Sequence, residues 1–183
     1  MSDAAPRTLP GDLPREDLIE RMIRVDHAGE YGARRIYEGQ LAVLGRRRDA
    51  EPIRHMAAQE QRHLDAFDKL LAERRVRPTA LHPLWHVAGY ALGAATALLG
   101  REAAMACTVA VEDVIDEHYR KQAAALGADD PELKTMIETF RAEEIEHRDT
   151  GLAEGAERAP AYGALTGAIK AGSRLAIWLA ERI

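Results

Sequence analysis

One cysteine, Cys107, excludes an internal disulfide and suits a chain that folds in a reducing compartment. Aromatic residues are scarce, at 5% of a chain that is 46% apolar, so the core must come from aliphatic side chains, Ala and Leu above all. That composition favours helices over sheets. No segment alternates polar and apolar residues with period two, which removes the mark of a half-buried strand. An excess of positive charge is also missing. The formal net charge is −5, which argues against nucleic acid as a partner. Residues 1–14 lack any apolar core and carry Pro6, Pro10 and Pro14 with two aspartates, unlike a secretory signal or an Arg-rich transit peptide. They are expected to form a disordered tail. The remainder, 15–183, is long enough for one domain, or for two small repeats fused into one.

What is present is helical periodicity. The pattern predicts helices over Arg15–Leu44 and Pro52–Arg75, an apolar one over about 83–100, and further helices over Arg101–Leu126, Pro131–Ala153 and about 160–183. Pro52 and Pro131 suit first helical positions, and Asp130 is the expected N-cap.

The same acidic and imidazole pattern occurs twice. Glu30 is followed by Glu60-x-x-His63, and Glu112 by Glu144-x-x-His147. The single glutamates are 82 residues apart and the Glu-x-x-His pairs 84 apart. Each lone glutamate is followed seven residues later by a tyrosine, Tyr37 or Tyr119. The repeats are expected over about 15–77 and 101–153, each a helical hairpin. Helical spacing sets Glu60 and His63 in line with Met56, Phe67 and Leu71, and Glu144 and His147 in line with Ile137 and Phe140. Glu112 aligns with Met105, Val109 and Ile115, and Glu30 with Ile23, Ala33 and Tyr37. Ionised carboxylates in such stripes need a counter-charge or a metal. Four carboxylates from four helices balance two divalent ions, and the carboxylate–imidazole set suits non-haem iron or manganese. Two Glu-x-x-His pairs alone would carry little weight; register and repeat carry the inference. His27, Tyr37, His118 and Tyr119 are candidates for holding the ligands in place, and Asp26, Asp113 and Asp116 are candidate acceptors for the ligand histidines. Gly29 and Gly32, costly inside a helix by about 1 kcal/mol each against Ala, suggest a need for room.

At Asp26-His27-Ala28-Gly29-Glu30-Tyr31-Gly32-Ala33, with Ile36-Tyr37 and Gly39-Gln40, the chain resembles the demethoxyubiquinone hydroxylase family, the di-iron monooxygenases of ubiquinone biosynthesis. The resemblance continues through Gln59-Glu60-x-x-His63, Val111-Glu112 with Glu117-His118-Tyr119, Phe140-Arg141-x-Glu143-Glu144-x-Glu146-His147, Ala159-Pro160-Ala161-Tyr162 and Ala176-Ile177-Trp178-Leu179-Ala180. It implies an all-α, ferritin-like four-helix bundle. It implies two iron ions held by Glu30, Glu60, His63, Glu112, Glu144 and His147, with Glu60 and Glu144 as bridges. It further implies hydroxylation by O2 of a demethoxyubiquinol ring (2-polyprenyl-3-methyl-6-methoxy-1,4-benzoquinol), an external electron donor, and a partner within a ubiquinone-biosynthesis complex. The targeting segment of the family's mitochondrial members is missing here, so a bacterial member or a mature form is expected.

The 23 residues from Pro78 to Gly100 carry no Asp, Glu, Lys or Arg, which is enough to span a bilayer. A spanning segment would put the two hairpins on opposite sides, which a shared site forbids. The last helix is amphipathic, with Leu165, Ile169, Gly172, Ala176 and Leu179 on one face. Two membrane-facing helices embedded in one leaflet are therefore expected, with Trp85 and Trp178 at headgroup level or along the substrate tail. The chain is expected at the cytoplasmic face of a bacterial inner membrane, or at the matrix side of the mitochondrial inner membrane for a processed form. Two other classes share these features: a ferritin-like iron oxidase or storage protein, and a non-enzymatic membrane-associated helical scaffold.

Overall fold

A computed structural model describes residues 13–183, so the expected tail lies almost wholly outside the described residues. Six α-helices follow one another: α1 (Arg15–Leu44), α2 (Glu51–Arg74), α3 (His82–Leu98), α4 (Arg101–Leu126), α5 (Pro131–Ala153) and α6 (Tyr162–Ala180). Two short 3-10 turns, Arg48–Ala50 and Ala156–Arg158, join them, and no strand occurs among the described residues.

Local chemistry explains the boundaries. Arg75 adopts a left-handed conformation with φ 55° and ends α2, and Gly127 with φ 58° ends α4. The Asp130 carboxylate accepts the Leu133 N–H at 3.0 Å and caps α5, whose first turn holds Pro131. The last helix begins at Tyr162 rather than near residue 160, because Ala161 is left-handed at φ 50° and breaks the chain's path after Pro160.

Helices α1 and α2 form one hairpin and α4 and α5 another; α1 packs on α4 and α2 on α5, closing a four-helix bundle. Its apolar core lies in two layers. Tyr37, Ile53, Met56, Met105 and Val109 fill one end. Ile23, Phe67, Tyr119, Leu126, Leu133 and Ile137 fill the other. Residues such as Phe67 and Ile53 are fully buried, each worth about 1.5–3 kcal/mol of transfer free energy. The six acidic and imidazole candidates occupy the layer between these ends, where each is at most 3% exposed.

The third helix after each hairpin lies outside the bundle. Helix α3 packs along α1, and α6 along α4. Each hairpin is thus associated with one further helix that packs along the hairpin's first helix. Glycines bring α3 against α1: a Cβ at Gly93 would overlap the Ile36 carbonyl, and one at Gly39 would overlap the Tyr90 carbonyl. No described helix is long and apolar enough to cross a membrane.

Candidate metal centre

Glu30 and Glu112 come from the first helix of each hairpin; Glu60-x-x-His63 and Glu144-x-x-His147 come from the second. The fold brings all six together. Glu30, Glu60, His63 and Glu144 can each offer a donor atom within 4.8 Å of one another, and so can Glu60, Glu112, Glu144 and His147. Glu60 and Glu144 belong to both groups. His63 Nδ1 lies 3.0 Å from Glu144 and 3.3 Å from Glu30; His147 Nδ1 lies 3.0 Å from Glu144 and 3.2 Å from Glu60.

Four carboxylates confined in a dry layer cannot all ionise unaided. Burial, reinforced by the charge of Glu144, pushes Glu60 and Glu112 well above the usual carboxylate range. Burial raises Glu30 as well. Burial would also raise Glu144, but hydrogen bonds and charge from His147 and His63 overcome it and hold its pKa at about 2. Burial would lower His63, yet Glu144 and Glu30 raise it to about 12, and Glu144 and Glu112 likewise raise His147. The protein alone therefore balances this layer by taking up protons. Both Glu60 oxygens, Glu30 Oε2 and His63 Nδ1 are buried without a hydrogen-bond partner. Two divalent cations would satisfy those atoms and replace the protons, so the donor set fits a pair of metals.

The tyrosines are crossed between repeats. Tyr37 donates to Glu112 Oε1 at 3.0 Å, and Tyr119 donates to Glu30. The seven-residue spacing suggests that each tyrosine stacks beneath its own glutamate. Seven residues of helix span about 10 Å, too far for contact, while the antiparallel run of α1 and α4 brings each hydroxyl to the other repeat's acid.

The histidine acceptors also differ from those expected. His63 Nε2 donates to Glu143 at 3.0 Å, and His147 Nε2 donates to the Gln59 side-chain oxygen at 3.1 Å. Asp26 instead accepts from His118 at 3.1 Å and from Gln122 at 2.8 Å. Asp113 pairs with Lys170 and Asp116 with Arg141, facing away from the two histidines. Gln59 and Glu143 each precede the glutamate of a Glu-x-x-His pair, so aligning the two repeats over their full length is the signal that finds them. His27, itself buried, bonds to the exposed Asp68 at 2.9 Å and stacks near His82 rather than bonding to any of the six. Cys107 is fully buried, and burial raises its thiol to about 12.

An apolar cavity of about 350 Å³ lies between α1, α3, α4 and α6. Gly29 and Gly32 line it, and a Cβ at Gly32 would meet nothing within 4 Å. Trp85 forms part of its wall, whereas Trp178 is 49% exposed beneath Arg182. Ala33, Ile36 and Val111 separate the cavity from a small crevice bounded by Tyr37, Thr108 and Glu112.

A helical bundle with two acid–imidazole groups sharing two carboxylates defines a candidate dinuclear metal protein. The chain belongs to the family described as ubiquinone biosynthesis protein COQ7, whose profile matches residues 17–180. It is 62% identical over 176 residues to the 3-demethoxyubiquinol 3-hydroxylase of Rhodospirillum rubrum, covering 96% of this chain and 83% of that protein. It is 56% identical over 169 residues to the human mitochondrial NADPH-dependent 3-demethoxyubiquinone 3-hydroxylase, covering 90% and 78%. The mitochondrial 5-demethoxyubiquinone hydroxylase of Saccharomyces cerevisiae is 44% identical over 183 residues, covering 91% and 78%.

Proposed function

We propose that this chain is a monooxygenase that hydroxylates the ring of a demethoxyubiquinol in ubiquinone biosynthesis. The carrying observation is the meeting of two acid–imidazole donor groups at Glu60 and Glu144, beside an apolar cavity whose wall residues Ala33, Ile36 and Val111 also line a crevice that reaches Glu112. Glu30, Glu60, His63 and Glu144 would hold one iron, and Glu60, Glu112, Glu144 and His147 the other, within a ferritin-like bundle. The iron pair would supply the redox chemistry that divides O2 between a new ring hydroxyl and water.

The chain's own residues do the rest. The cavity between α1, α3, α4 and α6 takes the apolar end of the quinol, with Gly29 and Gly32 leaving space along α1. The two core layers keep bulk water from the carboxylates. Tyr37 and Tyr119 hold Glu112 and Glu30 in orientation through their hydroxyls. Two electrons must come from outside; the names of the human and mouse relatives point to NADPH as their source.

The outer surfaces of α3 and α6 suit a lipid interface. Leu84, Val87, Leu98 and Leu99 on α3 and at its end, and Leu175 and Trp178 on α6, are all half or more exposed apart from Trp178 at 49%. Both helices flank the cavity, so a substrate resident in the membrane would enter without crossing water. On this reading the chain is a peripheral membrane protein. The purified protein loaded with ferrous iron should hydroxylate a short-chain demethoxyubiquinol with O2 when NADPH is supplied as the two-electron donor, and should bind vesicles. Iron binding without product would leave the iron-oxidase reading instead.

A further inference from the structure

The two repeats match at every donor, but not at the groups behind the histidines. Each candidate metal position has three carboxylates and one imidazole. Each lone glutamate accepts from one tyrosine. Behind His63, however, stands the carboxylate of Glu143, and behind His147 the neutral amide of Gln59. These two occupy equivalent places in the repeats, 84 residues apart. They also touch: the Gln59 amide donates to Glu143 Oε2 at 3.3 Å. A continuous chain, His147–Gln59–Glu143–His63, therefore runs across the face of α2 and α5.

We propose that the two metal positions are inequivalent, and that the Glu30–His63 position takes a divalent cation first and more tightly than the Glu112–His147 position. This rests on the metal-site reading above. A carboxylate accepting the outer N–H draws the proton toward itself and leaves the inner nitrogen a stronger donor. An amide oxygen does so far less. Arg62 Nη2 lies 3.3 Å from the same Glu143 oxygen and offsets part of the charge. Arg62 is 59% exposed, though, so water screens it, while Glu143 is 28% exposed and bonds directly to a buried ring. The net difference favours the His63 side. Loss of such an outer partner changes metal affinity by about 10–100-fold, which sets the expected gap between the two constants.

The test is a titration of the metal-free, full-length protein with Co2+. Calorimetry gives the two constants, and the side-chain N–H signals of 15N-labelled histidine show which ring is met first. Two steps about tenfold or more apart are expected, with the His63 signal shifting before that of His147. Glu143→Gln should weaken the first step by about tenfold and bring the constants together. The paired exchange Gln59→Glu with Glu143→Gln keeps both the charge and the hydrogen-bond chain, so it remains informative if the single variant fails to fold. It should reverse the order in which the two rings respond. Parallel filling of both positions, or an unchanged order in the exchanged variant, overturns the inference while leaving the metal site intact. Absence of any Co2+ binding overturns the metal site and the inference together.

Discussion

The two halves of this molecule, α1–α3 and α4–α6, share a layout but differ in how the third helix is attached. Helix α3 is seated by glycines: Gly39 of α1 and Gly89 and Gly93 of α3 bring the two backbones into contact. Helix α6 is attached by side chains, with Lys170 on Asp113 at 2.7 Å and Arg174 on Glu117 at 3.4 Å around the buried Ile169. A Cβ added at Gly163, Gly167 or Gly172 would meet nothing. In the inner layer both hairpins contribute donors to each of the two groups. The outer helices are free of that demand, and the looser seat of α6 leaves room for the apolar cavity, which Gly172 also lines.

The largest effects should follow from breaking the shared layer. Glu60→Ala or Glu144→Ala removes a donor from both groups, whereas Glu30→Ala or Glu112→Ala removes one from a single group. The first pair should lose both metals and more than about 100-fold in hydroxylation, beyond the usual cost of an outer partner. The second pair should retain one tightly bound metal. Iron counting on the purified variants, with helix content by circular dichroism, checks this. Equal retention of iron in all four would break the assignment of Glu60 and Glu144 as shared ligands.

Much of this site was legible in the chain. Helices α1, α4 and α5 begin and end at the residues predicted for them, and between α4 and α5 the reason is local: Gly127 ends one, and Asp130 and Pro131 start the next. The six acids and imidazoles could be placed on core faces because helical spacing is fixed. What spacing could not give was the direction in which the halves meet. The crossing of Tyr37 to Glu112 and of Tyr119 to Glu30 depends on α1 and α4 running antiparallel. Gln59 and Glu143 sit one position before a ligand-like acid, where a polar residue reads as solvated surface. Only the packing of α2 on α5 turns them toward the histidines. The cavity too is a product of four helices remote in sequence.

The outer helices give a sharper comparison of the halves. Gly93→Ala drives a methyl into the Ile36 carbonyl, backbone against backbone, so neither side can yield by a rotamer change. It should cost at least the usual 1–3 kcal/mol of overpacking. At about 2–4 °C per kcal/mol for this chain length, thermal unfolding reads it directly. Gly167→Ala in α6 meets open space and should stabilise by up to about 1 kcal/mol through helix propensity. A neutral Gly93→Ala would show that α3 is not held by close backbone contact.

The smallest effect, a few degrees in Tm, should be a pH dependence that changes with metal. Burial raises Glu30, Glu60 and Glu112 above their ordinary 4.5 in the folded protein. The folded state then binds more protons than the unfolded one, so stability falls as pH climbs above 4.5. His63, raised from 6.5 to about 12, contributes fully below pH 6.5 and loses that contribution as pH rises toward 12. Glu144, lowered from 4.5 to about 2, acts oppositely, but only as pH falls below 4.5. Across pH 5 to 9 the first two effects share a sign, so the metal-free protein should lose Tm with rising pH. Bound cations replace those protons, and their affinity increases with pH. The loaded protein should therefore show a flat or rising Tm over the same range. Scanning both forms at matched ionic strength tests the point, and a metal-free Tm that climbs between pH 6 and 8 would mean that protons do not stand in for metal in this layer.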